Sequence, residues 1–332
     1  MANQAVSTYT INALMEMMDM QSYWIGIDIG GTGIKGALVS DSGQMIERME
    51  LPTQAEQGAE HVLGRVLYIA NELKSIVYDR VKQNIITVKA IGIGSAGRID
   101  RESGIVIDAT DNLPGWKGLH LAEKVSEMTG LPVFTVNDAH AAAAGEDWIG
   151  SAADIHSWIM LTIGTGVGGA LVHYGEIISG QYGGAGELGH MILHPGGVQC
   201  NCGKKGCVEQ YVSGKALNRL AYQHQPGWTS RELLKYARRG DCSARYILDN
   251  WLNDLASTII NLDQIFDPQA IVIGGGIIVT RETWWKLLNQ RIDELGGRPV
   301  RLEPALLGNH AGMIGAARIA MQRYALQMRA QG

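Results

Sequence analysis

Residues 27–39 read IDIGGTGIKGALV, which is an apolar run, a glycine-rich turn and a second apolar run. Residues 161–172 read LTIGTGVGGALV and repeat that pattern. A glycine turn between two apolar runs predicts a strand, a tight turn and a second strand. The repetition indicates an internal duplication. We therefore expect two domains of one ancestral fold, each beginning with a hairpin.

Further strands and helices are predicted around the two hairpins. Apolar runs predict strands at 44–51, 88–94, 133–136 and 270–273. Apolar residues at three- and four-residue spacing predict helices at 57–80, 119–129, 139–150, 215–223, 243–266, 280–296 and 312–329. Strands that alternate with helices are typical of α/β domains with mixed sheets.

Length and composition limit the class of protein. The chain has 332 residues, with 46% hydrophobic and 18% charged residues, which is typical of a globular protein of two domains. The net charge of −5 argues against a nucleic-acid partner. No apolar run has the length of a membrane span, and the N-terminus lacks the pattern of a signal peptide. With three of four cysteines clustered, we expect a cytoplasmic protein without a membrane partner.

The cysteine cluster is the most specific chemical feature of the chain. Cys200, Cys202 and Cys207 lie within eight residues, and His190 stands ten residues before the first of them. Three thiolates and one imidazole are the ligand set of a closed, four-coordinate zinc site. The alternatives are a loop that collects thiols by chance and a disulfide. A disulfide would leave an odd cysteine and suits a small secreted domain, so we expect Zn²⁺.

The two glycine turns formally match the dinucleotide-binding pattern G-x-G-x-x-G, at 31–36 and 164–169. A dinucleotide site needs a helix directly after the glycines, whereas an apolar strand follows both turns. A P-loop is excluded because Lys35 is followed by Gly36. Bare backbone amides in such a turn can approach a phosphate closely. An ordinary hairpin turn is the alternative for one copy, and two matching copies favour phosphate binding.

Polar residues at the ends of strands are candidates for catalysis. Asp28 lies in an apolar strand before the first turn, where a bound Mg²⁺ would account for a buried carboxylate and Lys35 would add positive charge. Asp138 follows an apolar strand and begins a helix, so it is either a helix cap or a general base. The glycines at 274–276 end another strand and suit either a flat ligand such as adenosine or a plain turn.

Together these motifs resemble the ROK family (repressor, open reading frame, kinase) of sugar kinases and related regulators. The resemblance runs from about Tyr23 to the C-terminus. Its most specific part is the Glu-Leu-Gly-His run that ends at His190, followed by the cysteine pattern that ends at Glu209. It implies an α/β, two-lobed, actin-like ATPase fold of the ribonuclease H-like type, with mixed sheets and a zinc-binding loop.

The resemblance also implies an organisation into domains. An N-terminal extension covers 1–22. A small α/β domain covers 23–139 and is completed by the returning C-terminal helix at 311–332. A large α/β domain covers 140–310 and carries the zinc loop at 190–209.

Each motif acquires an implied role from the resemblance. ATP would be bound by Asp28, Gly30, Gly31, Thr32, Lys35, Gly164, Thr165, Gly166, Gly275 and Gly276. The sugar would be bound by Asn112, Asn137, Asp138, Glu187, His190 and Glu209, with Asp138 as the catalytic base. Zn²⁺ would be held by His190, Cys200, Cys202 and Cys207. The second ring nitrogen of His190 would then contact the sugar.

The implied activity is transfer of the γ-phosphate of ATP, with Mg²⁺, to O6 of a hexose. Glu187 and the Asn-Leu-Pro-Gly-Trp turn at Asn112 resemble glucokinases, which makes glucose the leading substrate. The segment around Asp138 also resembles N-acetylmannosamine kinases, and Ala96 and His140 depart from many glucokinases. N-acetylmannosamine or another hexosamine is therefore the alternative.

A sugar-responsive regulator of the same family is a more distant alternative. It would need a helix-turn-helix domain, and only 22 residues precede the first phosphate strand as it is predicted here. The resemblance further implies a homodimer or a dimer of dimers.

Overall fold

The computed structural model describes residues 22–80, 87–109, 113–296 and 298–331. The strands are β1 (Ser22–Ile29), β2 (Gly33–Ser40), β3 (Met45–Pro52), β4 (Thr87–Ser95), β5 (Arg98–Ile99), β6 (Val106–Asp108), β7 (Val133–Asn137), β8 (Ser157–Ile163), β9 (Val167–His173), β10 (Glu176–Ile177), β11 (Ala270–Gly274) and β12 (Leu302–Pro304).

Helices flank the strands along the chain. They are α1 (Ala59–Arg80), α2 (Leu121–Thr129), α3 (Asp138–Ile149), α4 (Glu209–Val212), α5 (Gly214–His224), α6 (Ser230–Arg238), α7 (Cys242–Phe266), α8 (Arg281–Glu294) and α9 (Ala311–Gln331). In the part of the chain that the structure describes, none of the helices is long and apolar enough to cross a membrane.

Two five-stranded sheets with the same plan form the framework. The first has the order β3-β2-β1-β4-β7, in which β1 to β3 are antiparallel and β4 and β7 run parallel to β1. The second has the order β10-β9-β8-β11-β12, in which the hairpin β8–β9 is antiparallel and β11 and β12 run parallel to β8. The two predicted hairpins therefore begin two equivalent mixed sheets, which we call the first and second sheet.

Each sheet has its own apolar core. Helix α1 packs its buried side chains on the first sheet, and Trp116 is fully buried in that core. Helices α5 to α8 surround the core of the second sheet, where the buried rings of Trp251 and Trp284 meet edge to face with centroids 5.8 Å apart. Helix α3 lies between the sheets and contacts strands of both.

Glycines allow helix α9 to approach the first sheet and helix α3 at backbone distance. A Cβ atom on Gly26 of β1 would lie 1.8 Å from the carbonyl oxygen of Met313, and Gly92 of β4 meets the next turn of α9 equally closely. A Cβ atom on Gly315 of α9 would lie 1.6 Å from the carbonyl oxygen of Ala141 in α3. Any side chain at these positions would push the helix away.

A buried carboxylate fixes the connection into α9. Glu146 of α3 is fully buried and accepts hydrogen bonds from the backbone N–H groups of Ser151 (2.8 Å), Leu306 (3.1 Å) and Leu307 (2.8 Å). Leu306 and Leu307 lie between β12 and α9. A carboxylate that accepts several backbone bonds is well compensated for its burial. Glu146 therefore ties α3 to the segment that leads the chain into α9.

The structure agrees with most of the predicted elements. The mixed α/β fold with two hairpin-led sheets is confirmed, while the domain boundaries stay a prediction. Ser22, assigned to the N-terminal extension, is the first residue of β1, and residues 1–21 lie outside the described residues. Helix α6 was not predicted, although Thr229 and Glu232 form a capping box at its start, which is a pattern visible in the sequence.

We expect Gly315→Ala to destabilise the protein by about 3 kcal/mol or more, because the new methyl group would meet backbone that cannot move aside without separating α3 and α9. The matched control is Gly64→Ala in helix α1, where a Cβ atom would meet nothing within 4 Å. That control should gain roughly 0.5–1 kcal/mol from helix propensity. Urea unfolding measures both. Equal effects of the two substitutions would contradict the described helix crossing.

Candidate active site

Two carboxylates meet where β1 and β7 end. Asp28 is the penultimate residue of β1, and Asp138 follows β7 as the first residue of α3. Strand β4 runs parallel between them, so the carboxyl ends of all three strands meet at one edge of the sheet. A Cβ atom on Gly94 of β4 would lie 2.9 Å from the Cβ atom of Ala141 in α3, so glycine at this position lets α3 pack closely on β4.

Asp28 has a strongly raised proton affinity. Burial, and after it the charge of Asp138, raises the pKa of Asp28 to about 7, while Lys35 opposite it in β2 acts to lower the pKa. A Cβ atom on Gly312, in the first turn of α9, would lie 2.6 Å from the carboxyl carbon of Asp28. The carboxylate thus packs against the positive end of the α9 dipole, which favours its charged form.

The cap of helix α3 is Asn137 rather than Asp138. The side-chain oxygen of Asn137 accepts the N–H groups of Ala139 (2.9 Å) and His140 (3.2 Å), and its amide nitrogen donates to the carbonyl of Gly97 (2.9 Å). Asp138 also accepts the N–H of Ala139 at 2.9 Å. Burial raises the pKa of Asp138 despite these bonds. The predicted base is therefore not needed as the cap, and Asn137 keeps one amide N–H for another partner.

The first glycine turn is exposed at its tip, and Thr53 holds its backbone by two hydrogen bonds. Gly31 and Thr32 are exposed. The hydroxyl of Thr53, a fully buried residue, donates to the carbonyl of Gly30 at 2.6 Å, and its backbone N–H donates to the carbonyl of Thr32 at 3.0 Å. The sequence analysis missed Thr53, which follows β3 without a recognisable motif. Its bonds leave the amides of the tip free to face a ligand.

The second glycine turn adjoins two other predicted motifs. The backbone nitrogen of Gly276 lies 4.0 Å from the Cβ position of Gly164. The N–H of Val167 donates to Oε2 of Glu209 at 3.0 Å, and a Cβ atom on Gly166 would lie 2.3 Å from that same oxygen. Glycine at position 166 therefore makes room for the carboxylate of Glu209. A predicted sugar ligand and the predicted phosphate turn are in direct contact.

The start of helix α5 completes the surroundings of this turn. The N–H of Gly214 donates to the carbonyl of Gly164 at 2.8 Å, a contact that the sequence analysis did not predict. Thr165 is exposed at the tip. Gly275 has φ 81° and packs so closely on Ile163 that a Cβ atom would lie 2.5 Å from its carbonyl oxygen. The second turn and the glycines after β11 thus form one continuous surface.

The four predicted zinc ligands come together. The ligand atoms of His190, Cys200, Cys202 and Cys207 lie within 4.8 Å of one another. The sulfurs of Cys202 and Cys207 are 3.6 Å apart, and the sulfur of Cys200 lies 3.7 Å from Nδ1 of His190. Tetrahedral zinc with Zn–S bonds of about 2.3 Å holds its sulfur ligands roughly 3.7 Å apart. The chemistry and the spacing of this cluster fit a zinc ion.

The other ring nitrogen of His190 faces Glu187. Its Nε2 atom lies 3.9 Å from Oε2 of Glu187. Burial raises the pKa of Glu187, the charges of His190 and Arg98 act to lower it, and the charge of Asp138 acts to raise it. Arg98 was missed by the sequence analysis. Its side chain lies 3.2 Å from the Cβ position of Gly184, and its Nε atom is buried with no hydrogen-bond partner among the described residues.

Two predicted features of the sugar side are Asn112 and the turn that follows it in the sequence. Asn112 lies outside the described residues. The turn after it is anchored by Trp116, whose indole N–H donates to the hydroxyl of Ser95 at 2.9 Å in the buried interior. Ser95 ends β4, directly before the loop whose Gly97 carbonyl binds Asn137. The loop and the turn are therefore joined to the cap of α3.

Two mixed sheets of the same plan, each with a glycine turn, and a carboxylate pair at the edge of the first sheet are typical of an actin-like ATPase fold. Residues 24–323 match the ROK family, so the chain belongs to the ROK family. It is 32% identical over 323 residues to a glucokinase from Halalkalibacterium halodurans, covering 91% of this chain and 96% of that protein.

Two further relatives are similar over nearly their whole length. An N-acetylmannosamine kinase from Citrobacter koseri is 31% identical over 296 residues, covering 89% of this chain and 98% of that protein. The crystal structure of a ROK family glucokinase from Streptomyces griseus in complex with glucose and AMPPNP is 30% identical, with a TM-score of 0.76 and coverage of 90% of this chain and 99% of that one.

The raised pKa of Asp28 predicts a pH-dependent cost in stability. The folded chain keeps a proton on Asp28 up to about pH 7, whereas the unfolded chain loses it near the ordinary value of 3.8. Stability from this group is therefore lost as the pH rises between these values. Asp28→Asn should raise the free energy of unfolding at pH 8 by up to about 4 kcal/mol and by far less at pH 4.

Chemical denaturation of both proteins at pH 4, 6 and 8 measures this difference. The value at pH 4 is the internal control for any effect of the substitution that does not depend on charge. A gain in the free energy of unfolding that is the same at every pH, or a loss at pH 8, would show that ionised Asp28 does not destabilise the fold.

Proposed function

We propose that the protein is an ATP-dependent sugar kinase that transfers the γ-phosphate to O6 of a hexose. The position of Asp138 carries the proposal. This half-buried carboxylate lies within electrostatic range of Asp28 on the side of the glycine turns and of Glu187 on the side of the Cys/His cluster. The names of the relatives, glucokinase and N-acetylmannosamine kinase, support the same reaction class.

Asp138 would act as the general base. It would take the proton from the attacking hydroxyl as that oxygen approaches the γ-phosphorus in line. A carboxylate whose pKa is raised by burial is a stronger base than an ordinary carboxylate, so it suits catalysis near neutral pH. Phosphoryl transfer depends mainly on position and on charge stabilisation, and a rigid helix start provides the position.

The two glycine turns would hold the triphosphate. The amides of the exposed residues Gly31 and Thr32 would face it from one sheet. Those of exposed Thr165 and half-buried Gly166 would face it from the other, with Lys35 adding positive charge. The glycines after β11 would support the adenosine. Asp28, which has the oxygen ligands that Mg²⁺ prefers, would help to hold that ion, which neutralises phosphate charge when bound.

The sugar would lie against Asn137, Glu187, His190 and Glu209. We place glucose first because the glucokinase relative is similar over 91% of this chain and a glucokinase with bound glucose shares the fold. N-acetylmannosamine is the alternative, supported by the kinase of that name at 31% identity. Asn112 as a sugar ligand, a homodimer or dimer of dimers, and a cytoplasmic location stay predictions.

We infer that the Cys/His cluster holds a structural Zn²⁺. The ion would fix two sugar ligands together, because His190 faces Glu187 at 3.9 Å and the sulfur of Cys200 lies 4.0 Å from Oε1 of Glu209. When bound, zinc would supply a rigid tetrahedral joint rather than chemistry on the substrate. The loop from 190 to 209 would then act as a wall of the sugar site.

Asp138→Asn should keep the fold, since Asn137 caps the helix, and should lower kcat by about 10²–10⁴-fold through loss of the base. The matched control is Asp147→Asn on the same helix, where the carboxylate accepts the indole N–H of Trp158 at 3.1 Å. That variant should turn over normally. An Asp138→Asn enzyme with the kcat of the wild type would exclude Asp138 as the base.

The sugar is tested by ADP release with ATP and Mg²⁺ against glucose, N-acetylglucosamine, N-acetylmannosamine, mannose, fructose and allose. Glucose should give the highest kcat/KM. A preference for N-acetylmannosamine would select the alternative. No release with any sugar, from protein that binds nucleotide, would overturn the proposed kinase.

Cys202→Ser should lower zinc content, thermal stability and sugar affinity together, because the thiolate would anchor the loop that carries the sugar ligands. Elemental analysis of purified protein, expected to show about one zinc per chain, measures the first of these. Cys242→Ser is the control, since Cys242 is exposed and lies outside the cluster. Metal-free protein with full activity would refute the structural zinc.

A further inference from the structure

His140 is a buried histidine next to the site without an assigned role. It stands in the first turn of α3, two residues after Asp138, and is 4% exposed. Its Nε2 atom lies 2.9 Å from the carbonyl oxygen of Ala185. A carbonyl can only accept, so Nε2 carries the proton and donates. Burial lowers the pKa of His140, which favours this neutral ring.

The residue that His140 holds leads directly to Glu187. The N–H of Ala185 donates to the carbonyl of Ser179 at 3.1 Å, so its peptide groups are bonded on both sides. Gly186 then follows with φ 91°, a conformation that favours glycine. A Cβ atom there would lie 3.1 Å from Nε2 of His140. Little freedom remains between the imidazole and Glu187.

Strand β9 also contacts the segment that leads to Glu187. A Cβ atom on Gly186 would lie 2.8 Å from the carbonyl oxygen of Gly169, and Leu188 fills the space that a side chain on Gly169 would need. Leu188 is itself buried in the core of the second sheet. Glu187 therefore projects from a segment fixed at β9, at the core and at His140. Among these supports, His140 lies on the helix that also carries Asp138.

We propose that His140 is a positioning residue that sets the distance between Glu187 and Asp138, and so decides which sugar hydroxyl faces the base. The inference rests on the proposed function, in which these two carboxylates bind the sugar and deprotonate it. The hydrogen bond from His140 to Ala185 joins the helix that carries Asp138 to the loop that carries Glu187. It therefore fixes the two carboxylates relative to each other. A displacement of about 1 Å in such an arrangement can cost on the order of 10²-fold in rate.

The alternative is a histidine that only fills the core. Its loss would then lower stability and leave the enzyme that remains folded with unchanged kinetic constants. A positioning role instead changes the sugar constants selectively, because the nucleotide is held by other elements. Misplaced sugar also leaves the γ-phosphate open to water, so ADP formation would exceed sugar phosphate formation.

The test compares His140→Leu, His140→Gln and His140→Asn in the full-length protein. Leu removes the donor, Asn is too short to reach the Ala185 carbonyl, and Gln places an amide N–H near the position of Nε2. The Leu and Asn variants should raise KM for glucose by about tenfold or more and lower kcat, with KM for ATP changed less than about twofold. Gln should restore most of the activity.

The ratio of ADP to sugar phosphate is the second readout, and thermal unfolding reports stability. His173→Leu is the control, because His173 is exposed at the far end of β9, where its side chain bonds Ser157 and its ring packs on Tyr174. It should match the wild type. If Leu fails to fold, the comparison of Asn with Gln decides the question alone.

The possible outcomes overturn different claims. If Glu187→Gln raises KM for the sugar while all three His140 variants keep the kinetic constants of the wild type, the positioning role is wrong and the proposed function stands. If Glu187→Gln changes KM for sugar and for ATP equally, Glu187 is not a sugar ligand. The proposed sugar site is then wrong, whatever the His140 variants show. If His140→Leu lowers stability but keeps the wild-type ratio of ADP to sugar phosphate, His140 is a core residue without a positioning role.

Discussion

Helix α9 lies in direct backbone contact with strands β1 and β4 and with helix α3, and this contact organises the cleft. It requires glycine at Gly26, Gly92 and Gly315, where a methyl group would come within 2 Å of a carbonyl oxygen or a backbone atom. The buried carboxylate of Glu146 binds the segment that delivers the chain into α9. Helices α3 and α9 and the first sheet therefore pack at backbone distance, and the ends of these two helices have little freedom to move.

The proposed chemistry would occur at the N-terminal ends of helices α3 and α9. Asp138 begins α3, and Asp28 packs against Gly312 at the start of α9, so each carboxylate lies at the positive end of a helix. That placement partly offsets the burial that raises both pKa values. From the first turn of α3, His140 reaches Ala185, and Glu209 at the start of α4 bonds the second glycine turn. The expected sugar and phosphate contacts thus depend on one rigid frame.

Local patterns explain what the sequence predicts well. Alternating apolar runs and glycine turns predict both hairpins, and the spacing of Cys200, Cys202 and Cys207 predicts the cluster with His190, because these signals lie within a few residues. Apart from helix α6, whose capping box is a local signal, the missed features are contacts between distant residues. Glu209 bonds to Val167, 42 residues away, and His140 to Ala185, 45 residues away, and no local pattern reports either pairing. Gly166, predicted from its motif alone, proves also to make room for Glu209.

The central claim is that Asp138 faces the sugar hydroxyl that receives the phosphate. The most direct measurement is a crystal structure with a non-hydrolysable ATP analogue, Mg²⁺ and the hexose that supports the fastest ADP release. The account predicts an Asp138 carboxylate oxygen at roughly 2.6–3.2 Å from one hydroxyl of the sugar, with that hydroxyl in line with the γ-phosphorus. A sugar bound with all of its hydroxyls beyond hydrogen-bond reach of Asp138, next to an ordered nucleotide, would contradict it.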